Sequence, residues 1–317
     1  MRTKSVNALF LVLLITEAVT VALIALTGIQ LSAISSLILN QLILLVPALI
    51  FLAATGTSPK FIANSRIKPV TPLLCIVYTG LCMPLILVVN MISLLFVENE
   101  ASQIGYLLQD VPVWLIVLVV GILGPVNEEF LFRGVFYHSY RKTGRVIAAM
   151  LMSAFLFGLM HLNFNQMSYA FVVGIMGVLL IEATGNIVCS MIFHACINTY
   201  NVIVMVLQKE QLLSTGGDTQ AVMNETLQEL GLTYRQFLLI GIVIFGIIAL
   251  ATTALAALLL YGMAVLEGHK QTFTGIFGKR QAEFPRGKKE RLWSLSLIVA
   301  VVLSFTYMIV ELMLTTK

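Results

Sequence analysis

Long apolar runs separated by short polar breaks dominate this chain. Read between the breaks, they give nine candidate spans, at 7–27, 31–54, 70–96, 112–132, 146–161, 167–183, 187–207, 236–263 and 292–314. Several hold about 20 residues or more with little or no charge, the length a helix needs to cross a hydrocarbon layer of about 30 Å. Pro47 and Pro84 fall inside spans, where neighbouring helices can re-satisfy the backbone. The pattern predicts an all-α, polytopic transmembrane helical bundle of about eight to nine spans, a single membrane domain over residues 1–317. No internal repeat, low-complexity tract or second domain interrupts it.

Composition sharpens this picture. Of the 317 residues, 59% are hydrophobic and only 11% charged, against about 25% charged in soluble domains. A water-soluble core cannot absorb so much apolar surface. The net charge of +4 does not point to nucleic acid, because the basic residues sit in short loops between spans. Met1 to Thr27, with Arg2 and Lys4 ahead of a long apolar run, reads as an uncleaved first span rather than a signal peptide. With the N-terminus inside, the inner side carries Arg2, Lys4 and the loops 55–69, 133–145, 184–186 and 264–291. It holds 16 of the 19 Lys and Arg residues, leaving Lys209, Arg235 and Lys317 outside. The positive-inside rule predicts this asymmetry. The expected location is the plasma membrane of a bacterium, with a cytoplasmic N-terminus. Residues 208–235 are predicted to hold a short amphipathic helix around Glu225–Leu232, outside. The basic loop 264–291 is read first as topology, with contact to anionic headgroups as the alternative.

Chemistry enters with the polar groups inside spans. Cys75, Cys82, Cys189 and Cys196 lie in apolar stretches without CxxC spacing and read as small buried hydrophobes. Ionisable groups are different, because each costs about 2.5–3.5 kcal/mol at mid-helix. Glu128, Glu129 and Arg133 lie in GPVNEEFLFRG, His161 ends AFLFGLMH, and His194 and Asn198 lie in SMIFHACINTY. Residues four apart share a helix face and adjacent ones point about 100° apart. Glu129 and Arg133 can therefore pair, which leaves Glu128 free to face a cavity as the candidate base. If the helix runs on to Lys142 and turns near Gly144, Glu128 and His161 both lie about 24 Å along their helices from the turn. Phe157, one turn before His161, can support the imidazole. Pro125 removes a helix hydrogen bond beside the glutamates, which either opens room for water or is ordinary membrane-helix proline. Glu17, Glu182 and Glu311 stand alone and read as snorkelling or locally bonded groups. His138 and His269 read as solvated, and Tyr200 and Asn201 as weak candidates for lining the cavity.

Glu128-Glu129-x3-Arg133, Phe157-x3-His161 and His194-x3-Asn198, in that order, resemble the three-part signature of the CAAX protease and bacteriocin-processing (CPBP, or ABI) family. The resemblance covers about residues 112–205, the expected catalytic core. It implies an all-helical membrane protease acting on a membrane-associated peptide or protein. By the resemblance, Glu128 activates water beside His161. His194 and Asn198 stabilise the oxyanion, and Glu129 and Arg133 shape the site; Phe157 is in addition a candidate substrate contact. Eukaryotic relatives remove the last three residues of prenylated proteins. Bacterial relatives are linked to peptide maturation, self-immunity and regulation.

The residue types support such chemistry on their own terms. Amide hydrolysis needs a nucleophilic water, a proton acceptor and donors for the developing oxyanion. Neither GxSxG nor HExxH is present, so serine and conventional zinc-protease motifs are lacking. The expectation is a glutamate/histidine-type peptidase without a cofactor. A metalloprotease-like version, with zinc on Glu128, His161 and His194, remains open. A non-catalytic peptide-binding or regulatory membrane protein of the same fold is the alternative. A transporter is disfavoured because the polar cluster lies in one half of the chain only.

Overall fold

The computed structural model describes residues 1–57, 66–97, 108, 111–207, 223–224, 227–277 and 290–315. Every regular element among them is a helix: α1 (Thr3–Thr27), α2 (Ala33–Ala54), α3 (Thr71–Ser93), α4 (Val113–Arg141), α5 (Val146–Leu159), α6 (Phe164–Thr184), α7 (Ile187–Leu207), α8 (Tyr234–Leu266), the short α9 (Lys270–Gly275) and α10 (Leu295–Thr315). Eight of these are long and apolar enough to cross a membrane. The exceptions are the six-residue α9 and α5, whose 14 residues reach only about 21 Å. The expected span 146–161 is thus shorter than a full crossing. The anticipated helix at Glu225–Leu232 falls partly outside the described residues, as does part of the basic loop 264–291.

Local chemistry sets where the helices begin and end. Asn163 caps α6 by accepting the Gln166 N–H at 2.8 Å, and Thr233 with Gln236 forms a capping box on α8. Glycines at Gly28, Gly144 and Gly185 take positive φ where α1, α4 and α6 turn out of their helices, a backbone region closed to most residues with a Cβ. The start of α3 is held from another helix: Glu267, just past α8, accepts the Lys68 N–H at 3.0 Å and the Thr71 hydroxyl.

The inner core gathers on α4, α5, α6 and α7. Phe132 and Phe136 of α4 stack at 5.5 Å, Phe132 meets Phe157 of α5, and Phe136 meets Phe10 of α1 edge-on. The α5–α6 hairpin closes tightly because Gly158 and Gly174 carry no side chain. A Cβ there would lie 2.8 Å from the Met167 carbonyl oxygen and 2.7 Å from Ala154 respectively. At the end of the bundle where the chain starts, buried Asn7 joins three parts of the chain. Its amide donates to the Leu292 carbonyl (2.8 Å) and the Ser294 hydroxyl (2.9 Å), and its oxygen accepts from Tyr140 at 2.6 Å.

Two charge readings change. Arg133 and Arg141 belong to α4 rather than to an inner loop, because the helix continues to the turn at Gly144. Glu182 is not solitary. It takes a two-pronged ion pair from Arg141 (2.6 and 2.9 Å) and the Tyr137 hydroxyl at 2.7 Å. Glu17, by contrast, has a buried carboxyl oxygen with no hydrogen-bond partner among the described residues. Cys75, Cys82 and Cys189 are buried and unbridged, as the sequence suggests.

Candidate active site

The site is built on an irregularity in α4. Two stretches, Val117–Leu123 and Phe130–Tyr137, have the wider π-helical winding, and between them lies a single ordinary segment, Gly124–Glu129. Such stretches are rare and concentrate at functional sites. Their cause here is partly covalent. Pro125 has no N–H, so the Val120 carbonyl, which a π-wound residue at 125 would occupy, loses its helix partner. The next helix but two supplies the replacement. Asn198 of α7 donates its amide to the Val120 oxygen at 3.2 Å, and Thr199 donates its hydroxyl to the Gly121 oxygen at 3.5 Å. The proline break is therefore sealed by α7 at these two carbonyls. Gly121 is required for this approach, since a Cβ there would sit 2.8 Å from the Thr199 Oγ1.

One turn along, the two glutamates part as their 100° separation requires. Glu129 is fully buried and organises the interior. Its Oε2 lies 3.1 Å from Arg133 Nε and accepts the Ser190 hydroxyl, while Oε1 meets His194 Nδ1 at 3.0 Å. The Arg133 guanidinium stands over the Phe157 ring, 4.3 Å from its centre, an attractive placement for a desolvated cation. Gly177 of α6 makes room for this assembly, because a Cβ would fall 2.6 Å from Ser190 Oγ and 3.5 Å from the guanidinium. Ser190, missing from the expected site, stands four residues before His194 and eight before Asn198. That spacing along one helix face is its signal in the sequence.

Glu128 instead keeps a fifth of its side chain exposed, with Oε2 3.8 Å from His194 Nε2. His194 is thus flanked by both carboxylates, Glu129 on one nitrogen and Glu128 toward the other. His161 lies in the turn just past α5 rather than on the helix, and its Nδ1 is 2.9 Å from the Phe157 carbonyl oxygen. A carbonyl only accepts, so Nδ1 carries the proton and Nε2 presents a lone pair. Irregular backbone at membrane depth persists where it is buried in protein or lines a cavity, and His161 sits on such a stretch.

Phe157 packs edge-on against both imidazoles, with ring centres 5.1 Å from His161 and 5.4 Å from His194. It is only 1% exposed. The expected substrate contact is replaced by support from behind, because protein covers the ring on every side. Asn198 also differs from expectation, with its amide drawn to a backbone carbonyl. Glu128, Glu129, Arg133, His161 and His194 do come together. For zinc the fit is poor: among the described residues, no three His, Cys, Asp or Glu side chains are gathered so as to hold a metal ion.

Residues 110–200 match the family model described as Rce1-like, type II CAAX prenyl endopeptidase. This segment is similar to that family, over 91 of the chain's 317 residues. It spans α4 to α7 as far as Tyr200 and so contains every residue of the polar cluster. No curated protein and no solved structure matches the chain. The Rce1-like segment accounts for the helices that carry the site, while α1, α2, α3, α8 and α10 enclose it.

Proposed function

We propose that the chain is an intramembrane endopeptidase of the glutamate/histidine type, cutting a membrane-associated peptide or protein with a water activated by Glu128. The observation that carries this reading is the placement of His194 between two carboxylates of unlike exposure. Glu129, buried and ion-paired, fixes the ring, and Glu128, partly exposed, faces its free nitrogen. That division gives one acid a structural duty and leaves the other able to exchange a proton with water.

In the reaction, water held between Glu128 and the His161 Nε2 lone pair attacks the scissile carbonyl carbon. Glu128 takes the proton, and the carbonyl electrons move onto oxygen. His194, held by Glu129 at Nδ1, donates to that oxyanion from Nε2 in its doubly protonated form. The second amide hydrogen of Asn198, the first being spent on Val120, can join it. Collapse breaks the C–N bond, and Glu128 returns its proton to the leaving amine. Water exclusion strengthens each of these interactions. No step is routed through a metal.

The family description names CAAX prenyl endopeptidases, so a prenylated C-terminal peptide is the first substrate class to try. The proposed setting is a bacterial plasma membrane with the N-terminus inside. Purified protein in lipid nanodiscs should cleave a quenched farnesylated peptide, and Glu128→Gln should lower kcat by about 10²–10⁴-fold. Undiminished turnover in Glu128→Gln would sink the proposal and favour the peptide-binding alternative. Activity abolished by chelation and restored only by zinc would overturn the metal-free form.

A further inference from the structure

The residue before the proposed base also reaches out of its helix. Asn127 points about 100° away from Glu128, toward α2, where its Nδ2 donates to the Gln41 Oε1 at 3.0 Å. Both side chains are half-buried. Amide side chains commonly hydrogen-bond across membrane helices. Each is costly to desolvate unless its donors and acceptors are used.

The pair uses only part of its capacity. A primary amide offers two donor hydrogens and an acceptor oxygen. Among the described residues, Gln41 Nε2 and Asn127 Oδ1 enter no side-chain hydrogen bond. What remains is a donor and an acceptor on the free sides of an amide–amide contact, the same pattern that the edge of a β-strand offers to an incoming chain. Gly124 borders this edge: the Gln41 Nε2 lies 3.4 Å from where a Cβ would stand, at van der Waals contact.

The surroundings suit an occupant that comes and goes. α2 is one of the least enclosed helices, with 17% of its apolar window buried. Its buried residues are Leu44, Ala48 and Leu52, all on one side of Gln41 along the helix. On its other side Ala33, Ile34 and Leu37 pack toward the cluster around Ile116 of α4, and between these two apolar contacts the Asn127–Gln41 bond is the side-chain hydrogen bond that joins α2 to α4 among the described residues. One residue further along α4 stands Glu128.

We propose that Gln41 and Asn127 form a docking edge for the backbone of an extended substrate peptide lying between α2 and α4, which brings its scissile carbonyl to Glu128. The inference rests on the endopeptidase reading and adds the route and the mode of recognition. Amides read peptide N–H and C=O groups, not side chains. Recognition at this edge is accordingly indifferent to residue type and sensitive to the loss of a backbone donor. Gln41 and Asn127 are positioning residues and take no part in bond making.

The test is a cycle between peptide and protein. Quenched farnesylated peptides, each N-methylated at one backbone nitrogen, are assayed with the full chain in nanodiscs. At one or two positions beside the scissile bond, methylation should raise KM for the wild type about five- to tenfold, the worth of one hydrogen bond. Gln41→Leu and Asn127→Leu should raise KM for the unmethylated peptide by a similar factor, chiefly without loss of kcat. Both should erase the sensitivity to methylation at those positions, and Gln41→Asn should restore part of it. Merely loosened packing would lower kcat and thermal stability and leave the methylation pattern intact, which would overturn the proposal. The same cycle read as peptide binding to Glu128→Gln protein separates the two readings. Binding that follows the pattern without cleavage by the wild type refutes the peptidase and keeps the docking edge. Cleavage with an unaltered pattern refutes only the edge, and a peptide neither bound nor cut counts against both.

Discussion

Glu129 is where the buried polar contacts of the site meet, since Arg133, His194 and Ser190 all converge on its two oxygens. Removing one member of a buried pair leaves an unmatched charge, which costs about 3–5 kcal/mol. Arg133→Leu should therefore unfold in detergent far more readily than wild type, as a thermal melt would show, and should lose turnover through His194. Glu128→Gln, at a partly exposed position, should melt close to wild type while losing turnover. That contrast separates the two adjacent acids by experiment. Phe157→Ala should cost about 3–5 kcal/mol as a large buried ring, and lower turnover by freeing both imidazoles. At this scale the sequence is most legible where a residue is anomalous. Glu128, Glu129, Arg133 and the two histidines stand out because charge is costly in an apolar helix. Ser190, Gln41 and Thr199 do not, because a hydroxyl or amide is unremarkable in a helix until its partner in another helix is known.

Pro125 governs the element that carries the acids. Pro125→Ala returns an N–H that can bond the Val120 carbonyl and compete with the Asn198 amide. The expected result is thermal stability no lower than wild type with turnover several-fold lower, and little further loss on adding Asn198→Ala. Gly121→Ala forces a Cβ to within 2.8 Å of Thr199 Oγ1, so overpacking should destabilise by about 1–3 kcal/mol. Adding Thr199→Ala should recover at least half of that melting loss. Helix positions were readable from apolar run length, to within a few residues for most spans. The π-winding of α4 was not, because it depends on α7 offering Asn198 and Thr199 across about 78 residues of sequence. The early end of α5 was likewise hidden, because Leu159 to Leu162 remain apolar apart from His161 while the backbone turns, with Leu162 at φ 52°.

At the scale of the whole molecule, the first and last helices are joined near one membrane face. Asn7→Leu strands the Tyr140 hydroxyl and the Leu292 carbonyl, and should cost about 1–3 kcal/mol for each buried group left unmatched. Beside it, Glu290 accepts the Thr3 N–H at 2.8 Å and the Thr3 hydroxyl at 2.9 Å. The backbone hydrogen bond from Thr3 is the main cause holding this carboxyl below its ordinary value of 4.5. A depressed value means the contact stabilises at all pH above 4.5 and is lost as pH falls through the lowered value. Acid melts of Glu290→Gln should consequently converge with wild type only at low pH. The spread of basic loops predicts that reporter fusions at the N-terminus and within 264–291 report the same side.

The brevity of α5 has a consequence for the lipid around it. A helix about 21 Å long in a layer of about 30 Å leaves acyl chains above its tip with no full-length neighbour to wet. The bilayer there must thin, or the protein must tilt, at a fraction of a kcal/mol per Å of mismatch. Reconstitution in short-chain lipids should therefore favour the conformation in which His161 is held, and progressively longer chains should slow the proposed cleavage while the melting temperature in detergent stays the same.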